Sequence, residues 1–187
     1  MKKIFILCLI FSNLISYSQY NQGKIILNNA KELIGLVKIT KGDDLKFKEN
    51  EDSKVIEYDK KEVSKFEFNT NEGVQKYVYA QTVNLNKDNN NNKYPKLLKV
   101  IIEGKVSLFE YYTVTYNNIG LTSYYVKKES DIFPIFYYGG GLHRQKFIPF
   151  VSEYFKDCET LVDKVKNKEL KHNQFEEVVQ YYNEKCK

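Results

Sequence analysis

The spacing at which apolar residues recur changes once along this chain, and that change decides what it can fold into. Up to about Lys128 the apolar residues come in short runs, several of them alternating, with turn-forming residues between. The runs are residues 24–27, 32–40, 45–48, 55–58, 63–68, 74–85, 97–103, 106–116 and 121–127. Asn28-Asn29, Lys41-Gly42-Asp43, Gly104-Lys105 and Asn117-Asn118-Ile119-Gly120 separate them, residue types that enter tight turns at little steric cost. Each run reads as a strand, and connections this short join antiparallel neighbours. Alternation sorts the faces: Val74, Lys76, Val78 and Ala80 point one way, Gln75, Tyr77, Tyr79 and Gln81 the other. Residues 86–93, with four consecutive asparagines, read as a polar surface loop.

Beyond Gly139-Gly140-Gly141 the spacing becomes three and four: Phe147, Phe150, Val151, Tyr154, Cys158, Leu161, Val162 and Val165. That is the apolar stripe of a helix, and Pro149, tolerated only in a first turn, starts it near Lys146 or Phe147. Asn173 and Glu176 have capping-box spacing for a second helix with the face Phe175, Val178, Val179, Tyr182 and Cys186. The polar link 167–172 folds the two helices into a hairpin. The expected class is α+β: an antiparallel β-meander of about eight to ten strands, curved or partly closed, with a C-terminal α-helical hairpin packed on it. Residues 19–187 form a single domain in this reading, with the meander over 19–138 and the helical hairpin tail over 142–187.

Residues 1–18 read as a secretory signal peptide. Lys2 and Lys3 precede the apolar run 4–11, and Ser16-Tyr17-Ser18 places small residues at the −3 and −1 positions before Gln19. The run is far shorter than the roughly 18–20 residues that span a bilayer, and no later stretch is long enough. The expected location is therefore periplasmic, cell-surface or extracellular, with no transmembrane segment in the mature chain. Cys8 leaves with the signal; Leu7 before it, where a lipoprotein has a small residue, argues against lipidation. Cys158 and Cys186 remain, both on apolar helix stripes, and two cysteines in an exported chain read as one disulfide.

The net charge of +5, two units of which belong to the signal, is too small to argue for nucleic acid. Arg144 is the sole arginine, and nucleic-acid readers lean on arginine for bidentate contacts. A catalytic Cys158 with His143 or His172 as base is the weaker reading beside the disulfide. The glycine-rich stretch into Leu142-His143-Arg144-Gln145-Lys146 could hold an anion at a helix start, but it matches neither phosphate-loop pattern and reads first as a flexible junction. Asp88-x-Asn90-x-Asn92 opens like a calcium loop, yet Lys93 and Lys99 stand where glycine and a bidentate glutamate are required. His143 and His172 lack companion ligands for zinc, so neither metal nor cofactor is expected.

Sixteen tyrosines and twelve phenylalanines with no tryptophan make the chain rich in amphipathic rings. Along 106–116, Val106, Leu108, Glu110, Tyr112 and Val114 share one face, and Ser107, Phe109, Tyr111 and Thr113 the other. If one face covers the core, the aromatics of the other meet either the helices or a partner. The candidate binding residues are Phe109, Tyr111, Tyr124, Tyr125, Tyr138, His143 and Arg144.

Residues 97–110, LLKVIIEGKVSLFE, with Tyr124-Tyr125 and the closing Tyr181-Tyr182-Asn183-Glu184-Lys185-Cys186, resemble uncharacterised exported proteins of Bacteroidetes-type bacteria. Those carry a KVLVEGKxSLY-like segment after several short strands, then an aromatic pair and a helical tail ending in a YN-x-C-like motif. The resemblance implies an envelope or secreted location and a β-rich body with a helical tail; it implies no reaction and transfers no site residue. The leading expectation is a non-catalytic envelope protein that binds a partner protein or a small ligand. The alternatives are a hydrolase of unrecognised type and a structural accessory of a cell-surface assembly.

Overall fold

The structure is a computed structural model that describes residues 20–83, 95–114, 117–139 and 146–186. The expected signal segment, His143 and Arg144 lie outside the described residues. Ten strands form one antiparallel sheet: β1 (Asn21–Leu27), β2 (Glu32–Ile39), β3 (Leu45–Lys48), β4 (Ile56–Tyr58), β5 (Val63–Thr70), β6 (Gly73–Ala80), β7 (Lys96–Ile102), β8 (Val106–Val114), β9 (Gly120–Lys128) and β10 (Ile135–Gly139). Three helices follow, α1 (Phe147–Tyr154), α2 (Glu159–Lys166) and α3 (Phe175–Lys185). The α+β class and the curved antiparallel sheet are those read from the sequence. The strand order is β10-β9-β8-β7-β6-β5-β1-β2-β3-β4, so one step departs from a simple meander: β5 returns to pair with β1 rather than β4.

That return forces the sheet to curl. Tyr58 pairs with Leu45, which pairs with Ile39 beyond the start of β1, whereas Val63 pairs with Leu27 at the end of β1. In a flat sheet four strand spacings and about eight residues of length would separate Tyr58 from Val63 by roughly 30 Å. The five chain steps between them reach no more than about 18 Å. The curl encloses Ile25, Val37, Leu45, Phe47, Val63, Phe66, Phe68 and Leu97, with Tyr58, Tyr77 and Tyr79 packed against them. Tyr79 closes its rim by donating its hydroxyl proton to the Asp43 carbonyl in the β2–β3 turn. Gly35 is a steric requirement here: a Cβ on it would lie against the Lys48 carbonyl and 2.9 Å from the Phe47 ring.

The other end curls the opposite way. Val83, three residues past β6, forms a parallel bridge with Ile135 on the outer edge of β10. It donates its N–H to Pro134 (3.0 Å) and accepts one from Phe136 (2.7 Å). Leu98, Phe109 and Tyr125 are buried inside this second curl, with Val78, Ala80, Val100, Tyr111 and Phe136. Because adjacent residues point to opposite faces, Tyr77 and Leu97 line the first core while Val78 and Leu98 line the second.

The helices cover the outer face of the second curl, where Val106, Leu108 and Val126 meet Val151, Phe155, Leu161, Val178 and Val179. Asn183 docks α3 on β8, its side chain accepting from the Val106 N–H (2.8 Å) and donating to the Val106 carbonyl (2.9 Å). Cys158 and Cys186 form a disulfide with Cα atoms 5.6 Å apart, joining the start of α2 to the end of α3. Among the described residues the tail has three helices, not the two of a hairpin. The first helix stops at Phe155, and Cys158, outside helical geometry, is the N-cap residue of the next. The third helix starts at Phe175 behind Gln174, so Asn173 is not its cap. Gln174 instead accepts from the Lys171 N–H and donates to Glu177.

Candidate functional site

A concavity with a volume of about 610 Å³ opens at the mouth of the first curl. It opens where the start of β2 stands apart from β4. Leu33, Phe47, Ile56 and Tyr58, which share the inner face, line it, and Ile34 borders it from the opposite face of β2. Phe47 is buried and meets the Tyr58 ring edge-on, centroids 6.4 Å apart. The lips are exposed: Ile34 at 66 %, Ile56 at 48 % and neighbouring Val55 at 45 %. Isoleucines left this open cover no core of their own.

Local chemistry holds the groove in shape. The loop after β3 folds on itself: the Lys48 ammonium donates to the Glu51 carbonyl (2.9 Å), and Asn50 accepts from the Asp52 N–H (3.2 Å). Lys46 and Glu57 pair across β3 and β4 at 2.8 Å. Lys31 and Lys54 stand on the rim, with no carboxylate in ion-pair range among the described residues. β4 pairs with β3 alone among the described residues, so its second edge offers unpaired backbone N–H and C=O groups. A smaller concavity, about 100 Å³, lies on the outer face of β1, β5 and β6, where Lys24–Glu67 and Lys76–Glu103 ion pairs cross the strands.

The aromatic residues singled out from the sequence lie elsewhere and divide between two faces. Phe109 and Tyr125, 6 % and 3 % exposed, pack inside the second curl, with Tyr111 half-buried beside them. Phe109 is thus covered by the sheet's own curl and not by the helices. Lys96 reaches into the same cluster. Its ammonium donates to the Tyr125 hydroxyl (2.8 Å) and lies 5.0 and 5.2 Å from the Tyr111 and Tyr125 ring centres. Tyr124 points the other way, into the helix-covered core. Tyr138 pairs through its backbone with Tyr124 in β10. The structure therefore joins Phe109, Tyr111 and Tyr125, and separates Tyr124 from them.

A second lysine-centred cluster pins the helices to the sheet. The Lys128 ammonium donates to Asp157 Oδ1 (2.8 Å) and lies 5.1–5.7 Å from the ring centres of Tyr154, Phe155 and Tyr182. Tyr154 donates to Asp131 and Tyr182 to Asp157. Burial, reinforced by those carboxylates, raises both phenols, Tyr182 to about 12 and Tyr154 further. For Asp157 burial works upward, but hydrogen bonds from Lys128 and Tyr182 outweigh it and hold the carboxyl below its usual range. All donors and acceptors here are matched to each other, which is the chemistry of a structural clasp.

Sequence reasoning missed the groove. The alternation of Val55, Ile56, Glu57 and Tyr58 marked a strand, but nothing in it marked an edge. Among the described residues no group of three or more His, Cys, Asp and Glu could hold a metal ion. No helix among them is long and apolar enough to cross a membrane. No protein-family model, curated protein or solved structure matches the chain.

Proposed function

We propose that this chain is an exported, non-catalytic protein of the cell envelope, periplasmic, surface-exposed or extracellular, and that the groove between β2 and β4 binds its partner or ligand. The observation that carries this reading is exposed apolar surface around one concavity: Ile56 shares the inner face with Phe47 and Tyr58, and Ile34 borders the same concavity from the opposite face of β2. Such surface is costly to leave in water, at roughly 25 cal/mol per Å² of apolar area, and an occupant recovers that energy. The Cys158–Cys186 bridge favours an oxidising compartment, and the signal-like first eighteen residues favour export. The hydroxyls in the lining are those of Ser53 and Tyr58, and the Ser53 oxygen accepts from the Asn50 N–H (3.3 Å).

The test is cross-linking and capture from the native envelope, with the wild-type chain and Ile34→Ser/Ile56→Ser run in parallel. A species held by the wild type and lost with the variant supports the groove. Equal capture by both chains removes it as the site.

A further inference from the structure

We propose a second site, separate from the groove, that binds the carboxylate of a small organic acid where Lys96, Tyr111 and Tyr125 meet in the second curl. Tyr125 is 3 % exposed, and its hydroxyl oxygen accepts a hydrogen bond from the Lys96 ammonium (2.8 Å). A phenol also has a proton to donate, and an ammonium has three. Among the described residues nothing accepts the Tyr125 proton, and no carboxylate lies in ion-pair range of Lys96. Glu110, between Phe109 and Tyr111 in β8, points to the opposite face beside Tyr124. Buried donors are ordinarily matched, so a phenol proton and an ammonium side by side call for a shared acceptor.

The same chain contains the completed form of this pair. At Lys128 the ammonium again lies among aromatic rings with a tyrosine beside it, and one carboxylate serves both. Asp157 accepts from Lys128 on Oδ1 (2.8 Å) and from Tyr182 on Oδ2. Lys96 and Tyr125 present the ammonium and the phenol without the carboxylate. An incoming acid would take one bond from each on its two oxygens, as Asp157 does, and its single charge would match the single cation. The two rings, 5.0 and 5.2 Å from the ammonium, hold it in place for that contact. Lys96 and Tyr111 are half-buried, so the donors are reached from solvent past these two side chains. Val78, Ala80 and Val100 pack around the cluster, which suits an acid with an apolar body.

Sodium benzoate titrated into the purified full chain tests this, read by NMR at the Lys96 side chain and the Tyr125 ring. Sodium chloride at matched ionic strength and inorganic phosphate are run beside it. The expected result is a saturable shift of both residues with benzoate in the millimolar range. Tyr125→Phe keeps the buried ring and removes the hydroxyl, and it should weaken binding about tenfold; Lys96→Met should weaken it by about tenfold or more. Should Lys96→Met fail to fold, Tyr125→Phe decides alone. No saturable shift means that solvent satisfies these donors and overturns the proposal, as does an equal response to chloride. Unchanged affinity in Tyr125→Phe overturns the two-donor site even where Lys96→Met weakens binding, since a general attraction to the lysine would then suffice. Tighter binding of phosphate than of benzoate overturns the carboxylate class.

Discussion

Reducing the Cys158–Cys186 bridge should lower stability by an amount that follows from its position in the chain. The sulfurs join residues 28 apart, and the bridged pair spans α2, the link and α3. Releasing a loop of that length returns conformational freedom to the unfolded chain worth about 3.6 kcal/mol at 25 °C in the chain-entropy treatment. For a chain of this size each kcal/mol moves Tm by about 2–4 °C, so reduction should lower it by about 7–14 °C. Both cysteines are buried, at 6 % and 4 % exposure, so the two thiols remain inside the same packed helices when reduced. The assay is thermal and urea unfolding of the purified mature chain, followed by near-ultraviolet circular dichroism, with and without phosphine reductant. If the effect resides in the unfolded chain, the urea m-value also rises on reduction, because a longer unconstrained segment exposes more surface. A Tm drop below about 3 °C with an unchanged m-value would refute the reasoning.

Three further outcomes are expected. Gly35→Ala should destabilise by about 1–3 kcal/mol in urea unfolding, because its methyl meets the Lys48 carbonyl and the Phe47 ring; a neutral result would mean that β3 can move aside. Asp157 has a depressed folded pKa, so its contribution is complete above the unfolded value near pH ~4 and is lost as pH falls through the lower folded value. Lys128→Met should therefore raise the Asp157 pKa in a carboxyl carbon NMR titration and flatten the acid limb of stability between those values; an unmoved Asp157 refutes the clasp. Export should leave Gln19, free or cyclised, as the first residue by N-terminal sequencing, and a chain retaining Met1 in the membrane fraction contradicts the signal reading.

Much of the fold was legible because sheet alternation is local. The division of β8 into Leu108 and Glu110 on one face, Phe109 and Tyr111 on the other, needs only a period of two, and it holds in the structure. What failed was long-range. β10 escaped notice because Ile135–Gly139 follows Pro134 without a hairpin signal, and its outer neighbour, Val83, lies some fifty residues earlier. The break at 155–158 was hidden because Phe155, Cys158 and Leu161 stay apolar through it; what interrupts the helix is Asp157 turning toward Lys128 and Tyr182. The groove was illegible for a deeper reason. Leu33 and Ile56 each sit in an ordinary strand, and only the pairing of β5 with β1 curls the sheet so that both border one concavity.

That same pairing has a consequence for how the chain acquires its shape. Strands β1 to β4 can assemble as soon as they emerge, but the outer edge of β1 must wait for β5; Ile25 and Phe66, partners across that edge, are 41 residues apart. Through that interval the nascent sheet has two open edges, the temporary one on β1 and the lasting one on β4. Synthesis delivers the N-terminal side first, so the temporary edge is presented to every neighbouring chain before its own partner arrives. Slow elongation would lengthen this exposure, and a chaperone that shields strand edges would shorten it. The yield of this protein should therefore depend on how fast residues 63–70 follow residues 21–27 during synthesis.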